Sequence, residues 1–183
     1  MARIGGIESP EILAPGAPNY WQAAWQARRF VAKKAGREIP RQDLGLANNA
    51  ASRRSQNQLH IHIDCVRADV KQRLAEAAGK IGSGIIASQW RPLPMPPADH
   101  RYLVRRTESP DLAGVDPFRL LAEGVPAAAA DMGEQTLVVI GADFGGGKEG
   151  FYILNDHAVP AAPRRGWGED LLDHDCAVLR QAP

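Results

Sequence analysis

Cysteine is scarce in this chain, with two residues, Cys65 and Cys176, among 183. A pair that far apart leaves open one disulfide, two free thiols, or a ligand each in unrelated places. Long apolar runs are missing too. No stretch approaches the roughly 18 residues of a membrane span, and the N-terminal residues lack the basic-then-apolar order of a signal peptide. Nor does one charge dominate: 22 basic against 21 acidic residues leave a formal net charge of +1. That balance excludes the global field of a nucleic-acid or membrane-surface binder and leaves recognition to local charge. What is present is a 44% hydrophobic chain, long enough to bury one sizeable core and too short for two, which reads as a single domain over residues 1–183.

Basic residues do come in pairs, at Arg28-Arg29, Lys33-Lys34, Arg53-Arg54, Arg105-Arg106 and Arg164-Arg165. Pairs this short are ordinarily solvated surface. Ser9-Pro10 opens a short helix. Asn19 with Gln22 forms a capping pattern ahead of Tyr20, Ala24, Ala27 and Val31 at helical spacing, and Gly36 supplies the stop behind Lys33 and Lys34. Strands are expected over 43–48 and 57–66, separated by a polar stretch from Asn49 to Gln56. Asp69 and Gln72 open a helix through about Ala78, after which Gly79, Gly82 and Gly84 break regularity. Pro92, Pro94, Pro96 and Pro97 argue against regular structure, and residues 101–106 read as a strand. Asp116-Pro117 starts a helix ending near Gly124. Two strands flank Phe144 to Lys148, and 168–180 looks helical. The glycine run before Lys148 is a hairpin turn, because a phosphate-binding loop needs glycine where this chain has Ala142 and a hydroxyl where it has Glu149. Helices and hairpins without a βαβα rhythm indicate an α+β fold.

The informative segment runs from Gln56 to Cys65. Strict alternation puts Leu59, Ile61 and Ile63 on one face of a strand and Gln58, His60, His62 and Asp64 on the other, each about 6.7 Å from the next. Two imidazoles on one rail suggest either chelation or catalysis. His-x-His-x-Asp resembles a metallo-β-lactamase motif, but that motif continues with a histidine where Cys65 stands here, and His100, His157 and His174 form no second ligand cluster. Nucleophilic catalysis on phosphorus fits better. A neutral imidazole attacks phosphorus at neutral pH and leaves readily once phosphorylated, and a second imidazole stabilises charge on nonbridging oxygens. This chemistry needs no metal and no cofactor.

Asn57-Gln58-Leu59-His60-Ile61-His62-Ile63 resembles the histidine-triad signature, with Gln58 in place of its first histidine. The wider pattern is more specific. It comprises Pro18-Asn19-Tyr20-Trp21, Ala24 to Arg28, Ser55 to Asn57, Cys65 to Val70, Trp90 with Pro92-Leu93-Pro94, His100 to Leu103 with Arg105-Arg106, and Asp173 to Cys176. Together these resemble the CDP-diacylglycerol pyrophosphatase family over nearly the whole chain.

The resemblance implies a histidine-triad-like α+β fold, an antiparallel sheet with packed helices and the two histidines on an inner-sheet strand. It implies hydrolysis of CDP-diacylglycerol to CMP and phosphatidate, with His60 as nucleophile and His62 on the phosphate. Ser55 falls where related proteins place a hydroxyl, and Asn49, or its neighbour Asn48, where they keep an asparagine. Arg53 and Arg54 are candidates to face the diphosphate, and Gln58 to hydrogen-bond a neighbour. Cys65 and Cys176 are expected to form a disulfide, as in an extracytoplasmic domain. The family also implies an inner-membrane anchor and first strands upstream of the segment beginning at Met1, so an exposed sheet edge is expected beside 43–48 or 57–66. A membrane lipid surface is an expected partner, a homodimer is possible, and nucleic acid is not expected. The rival readings are a histidine-triad enzyme acting on a soluble nucleotide diphosphate and a non-catalytic nucleotide- or lipid-binding module.

Overall fold

A computed structural model describes residues 5–82, 89–96 and 100–180. Gly84 and Pro97, read above as breakers, lie outside them. Seven strands form one antiparallel sheet: β1 (Leu44–Asn48), β2 (His62–Val66), β3 (Arg91–Met95), β4 (His100–Glu108), β5 (Gln135–Asp143), β6 (Glu149–His157) and β7 (Leu172–Asp173), in the order β3-β4-β6-β5-β1-β2-β7. The helices are α1 (Tyr20–Ala27), α2 (Arg29–Ala35), α3 (Ala68–Ile81), α4 (Pro117–Gly124) and α5 (Pro126–Ala129). The class is α+β, as the missing βαβα rhythm indicated.

Strand alternation sends Leu44, Leu46, Leu137, Val139, Phe151 and Ile153 to one face and Ala47, Val66, Val138, Ile140 and Leu154 to the other, giving two cores. On the first face α1 lays down Trp21 and Trp25, one turn apart. Trp21 meets Phe118 of α4 at 5.2 Å between ring centroids, and Trp25 meets Phe151 edge-on at 4.9 Å. On the second face α3 buries Val70, Leu74, Ala77 and Ile81, which recur at helical spacing. Each fully buried leucine or isoleucine among them contributes about 1.5–3 kcal/mol.

Several elements differ from the sequence reading, each for an identifiable reason. Asn19 caps α1 as expected, accepting from the Gln22 N–H at 2.9 Å. The expected single helix nevertheless breaks at Arg28, whose guanidinium donates to the Trp25 carbonyl at 2.6 Å. Gly36, at φ 68, closes α2 in the left-handed conformation that glycine adopts without strain. The proline stretch is a strand after all. β3 pairs only with β4, and Pro92 and Pro94 sit two residues apart, so the N–H groups they lack are those that would point away from the sheet. The expected helix over 168–180 is instead a 3-10 turn (Gly168–Leu171), β7, and a second 3-10 turn (Ala177–Arg180). β7 captures these residues by pairing Leu172 with Val66 and Asp173 with Cys65, and the Asp173 carboxylate then accepts from the Asp175 and Ala177 N–H groups, turning the chain away from a helix.

The histidine strand is shorter than expected. β2 begins at His62, not at residue 57, because β1 ends at Asn48 and offers no further backbone partner; the Asn48 side chain takes the His60 carbonyl instead, at 2.8 Å. Leu59 and Ile61 still pack with Ile63 against the first core, so the alternation persists in backbone that is extended but unpaired. β2 is the penultimate strand, an inner one as expected for His62, while His60 lies two residues before it. β1 is flanked on both sides, by β5 and β2, whereas the outer edge of β2 is covered by β7 only at Cys65 and Val66.

Candidate active site

The two histidines stand where β2 emerges from the loop that follows β1. Asn48, at the end of β1, is held by the Thr136 hydroxyl, which donates to its carbonyl at 2.5 Å, and its own side-chain nitrogen fixes the His60 backbone. The His60 ring turns its Nδ1 to the Gln58 carbonyl at 2.9 Å. A carbonyl oxygen only accepts, so Nδ1 carries the proton, and in the neutral ring the lone pair is then on Nε2. Gln58 thus orients the nucleophile candidate through its main chain, while its exposed amide bonds Gln56 at 3.1 Å.

The His62 ring packs edge-on against His60, centroids 5.1 Å apart. Its enclosed Nε2 lies 3.1 Å from Glu169 Oε2 without the geometry of a directed hydrogen bond, an ion pair when the ring is protonated. A carboxylate beside Nε2 keeps the proton there. Burial pushes the His62 pKa below the usual histidine value, Glu169 opposes that, and His60 and His174 add to the lowering. Glu169 reaches the site on the 3-10 turn 168–171. Its backbone N–H donates to Asn49 Oδ1 at 3.2 Å. Gly168 permits the close approach, since a Cβ there would fall 2.7 Å from Thr136 Oγ1.

Asp64 continues the rail. Its Oδ2 is 2.6 Å from His174 Nδ1 and its Oδ1 accepts from the Cys65 N–H at 2.9 Å. Cys65 and Cys176 are joined in a disulfide. Their sulfurs lie with the Asp64 carboxylate in a cluster of metal-ligand type, but oxidised sulfur offers no thiolate for a cation.

The remaining sequence candidates separate. Ser55 is exposed on the loop. Arg54 forms a two-pronged pair with Glu8, at 2.5 and 2.6 Å, which raises its own pKa and lowers that of the acid. Arg53 donates to the Arg165 and Val159 carbonyls at 3.0 and 3.2 Å, tying down the 159–166 loop. The same loop is held from beneath by the fully buried Asp156 carboxylate, which pairs with Arg165 and accepts from the Gly166 N–H.

Sequence reasoning missed Glu169 and the pairing of His174. Nothing local marks Glu169, since its meeting with His62 exists only in the folded sheet. His174 did leave a signal: it precedes Cys176 by two residues as Asp64 precedes Cys65 by one, so bridging the cysteines brings acid and imidazole together.

A model of the CDP-diacylglycerol pyrophosphatase family matches residues 1–180. The chain belongs to that family. A CDP-diacylglycerol pyrophosphatase is a hydrolase, and its substrate is an anhydride in which a cytidine monophosphate and a phosphatidate share a bridging oxygen. Cleaving that bridge requires an attacking group, charge stabilisation on the phosphorus attacked and a path for the lipid, and the first two requirements draw attention to the His60–His62 corner. No helix among the described residues is long and apolar enough to cross a membrane.

Proposed function

We propose that this pyrophosphatase works through a nucleotidyl-histidine intermediate on His60. His60 Nε2 attacks the phosphorus of the CMP half, an N–P bond forms, the P–O bond to the bridging oxygen breaks, and phosphatidate departs. Water then attacks the same phosphorus, breaks the N–P bond and releases CMP, restoring the neutral imidazole. The observation that carries this reading is the contact of His60 Nδ1 with the Gln58 carbonyl: in the neutral ring it places the proton on Nδ1 and leaves the lone pair on Nε2 available to a substrate.

His62 complements it. With Nε2–H beside Glu169, protonation at Nδ1 makes an imidazolium between a fixed carboxylate and the substrate's nonbridging oxygens. Glu169 acts as a positioning residue, favouring that cation without touching substrate. Asn49, expected to meet the substrate, supports the site through the Glu169 backbone. Arg53 and Arg54 shape its rim, with Arg54 free for the diphosphate only if it leaves Glu8. In the family setting the catalytic domain works at a membrane lipid surface outside the cytoplasm, where a disulfide persists.

A single turnover in water enriched in oxygen-18 tests the phosphorus attacked. The label is expected in CMP, and label in phosphatidate would refute attack on the CMP half. Mass spectrometry of the acid-sensitive peptide containing His60, quenched during turnover, is expected to show a CMP adduct.

A further inference from the structure

We propose that the outward face of α2 seats this protein on an anionic lipid surface, beside the strand that carries the histidines. The inference rests on the lipid substrate of the reading above and names the surface that meets it. α2 turns Val31 and Ala32 into the first core. Its opposite face presents Phe30, Lys33 and Lys34 at the spacing of one helical stripe, with Arg29 beside Phe30. Phe30 is 60% exposed, the one large apolar side chain left in water among the described residues. Arg29, Lys33 and Lys34 pair with no carboxylate among the described residues. In a molecule of net charge +1, three cations without a carboxylate partner around one exposed phenyl ring make a local patch complementary to a negative leaflet.

Position adds the second argument. α2 backs onto β2 across a cavity of about 380 Å³, lined by Val31, Lys34 and Ala35 on the helix side and by Asp64, His174 and Cys176 on the other. A membrane touching α2 therefore lies on the side of the molecule where this cavity reaches Asp64, the residue that continues the histidine rail.

The test uses vesicles of phosphatidylglycerol with phosphatidylcholine, vesicles of phosphatidylcholine alone, and a short-chain CDP-diacylglycerol held below its micelle concentration. Wild-type protein is expected to co-sediment with the anionic vesicles and to be released by high salt. The Lys33→Gln/Lys34→Gln pair should weaken that binding about 30-fold, at about fivefold for each basic residue near an anionic leaflet, and Phe30→Ser about tenfold. Both variants should hydrolyse long-chain substrate in vesicles more slowly and the monomeric short-chain substrate at the wild-type rate, with an unchanged melting temperature. Equal binding of variants and wild type, equal binding to neutral vesicles, or preferential binding of these cations to nucleic acid would overturn the proposal. Loss of short-chain hydrolysis by wild type would instead count against the catalytic reading.

Discussion

His60 and His62 are held by different groups, so their replacements should behave differently. His60→Ala removes the lone pair proposed to attack phosphorus, and turnover is expected to vanish while the melting temperature stays within a degree or two; residual wild-type turnover would refute nucleophilic attack by His60. His62→Ala removes one charge-stabilising donor, a loss on the order of 10²–10³ in kcat. Glu169→Gln is the finer test. The carboxylate favours imidazolium on His62, so its loss lowers the His62 pKa further, and the alkaline limb of the kcat/KM profile should move to lower pH. A profile that keeps its shape while all rates fall would indicate that Glu169 only props the turn. The same depressed pKa bears on stability. A histidine whose folded pKa lies below its unfolded value binds fewer protons when folded, so its contribution is present above the unfolded value of about 6.5 and is lost as pH falls through the folded one. His62→Gln should therefore flatten the decline of melting temperature on the acid side of that value.

Among the elements, the strap from Gly168 to Arg180 governs the site, because it supplies Glu169, pairs β7 to the outer edge of β2 and carries Cys176. Removing the bridge by Cys65→Ser/Cys176→Ser opens a loop spanning 111 residues, and the chain-entropy model gives an upper loss of about 4–5 kcal/mol in stability. Activity should fall with it under conditions where the sheet persists, since the strap loses its covalent hold beside Asp64; chemical denaturation and turnover of the double variant measure both. This strap is also where the sequence was least legible. Its two turns and short strand depend on β2 as a partner, whereas α1 and α4 announce themselves through the Asn19 and Asp116 caps and α3 through its apolar spacing, although Asp69, expected to cap α3, lies inside it behind Arg67. The rail of Gln58, His60, His62 and Asp64 was readable for a similar reason: alternation is local, and it survived even where the strand did not. What alternation did not convey was which neighbours the rail would meet, and so Glu169 was missed and β3, whose prolines are harmless only at an edge, was read as irregular.

At the scale of the whole molecule, the sheet is best held at β5, β6 and β1, each paired on both sides along long registers and buried between two cores. Amide exchange should be slowest in those strands and faster in β3 and β7, and protection of β7 equal to that of β5 would contradict this ordering. The distance in sequence between the histidine strand and its strap has a further consequence in biosynthesis. His60, His62 and Cys65 leave the ribosome early, while Glu169, β7 and Cys176 follow more than a hundred residues later. A nascent chain therefore displays its histidines long before it can position or lock them, and a translation product cut short before Gly168 would carry the attacking imidazole beside a strand left outermost in the sheet, idle and prone to capture by another chain.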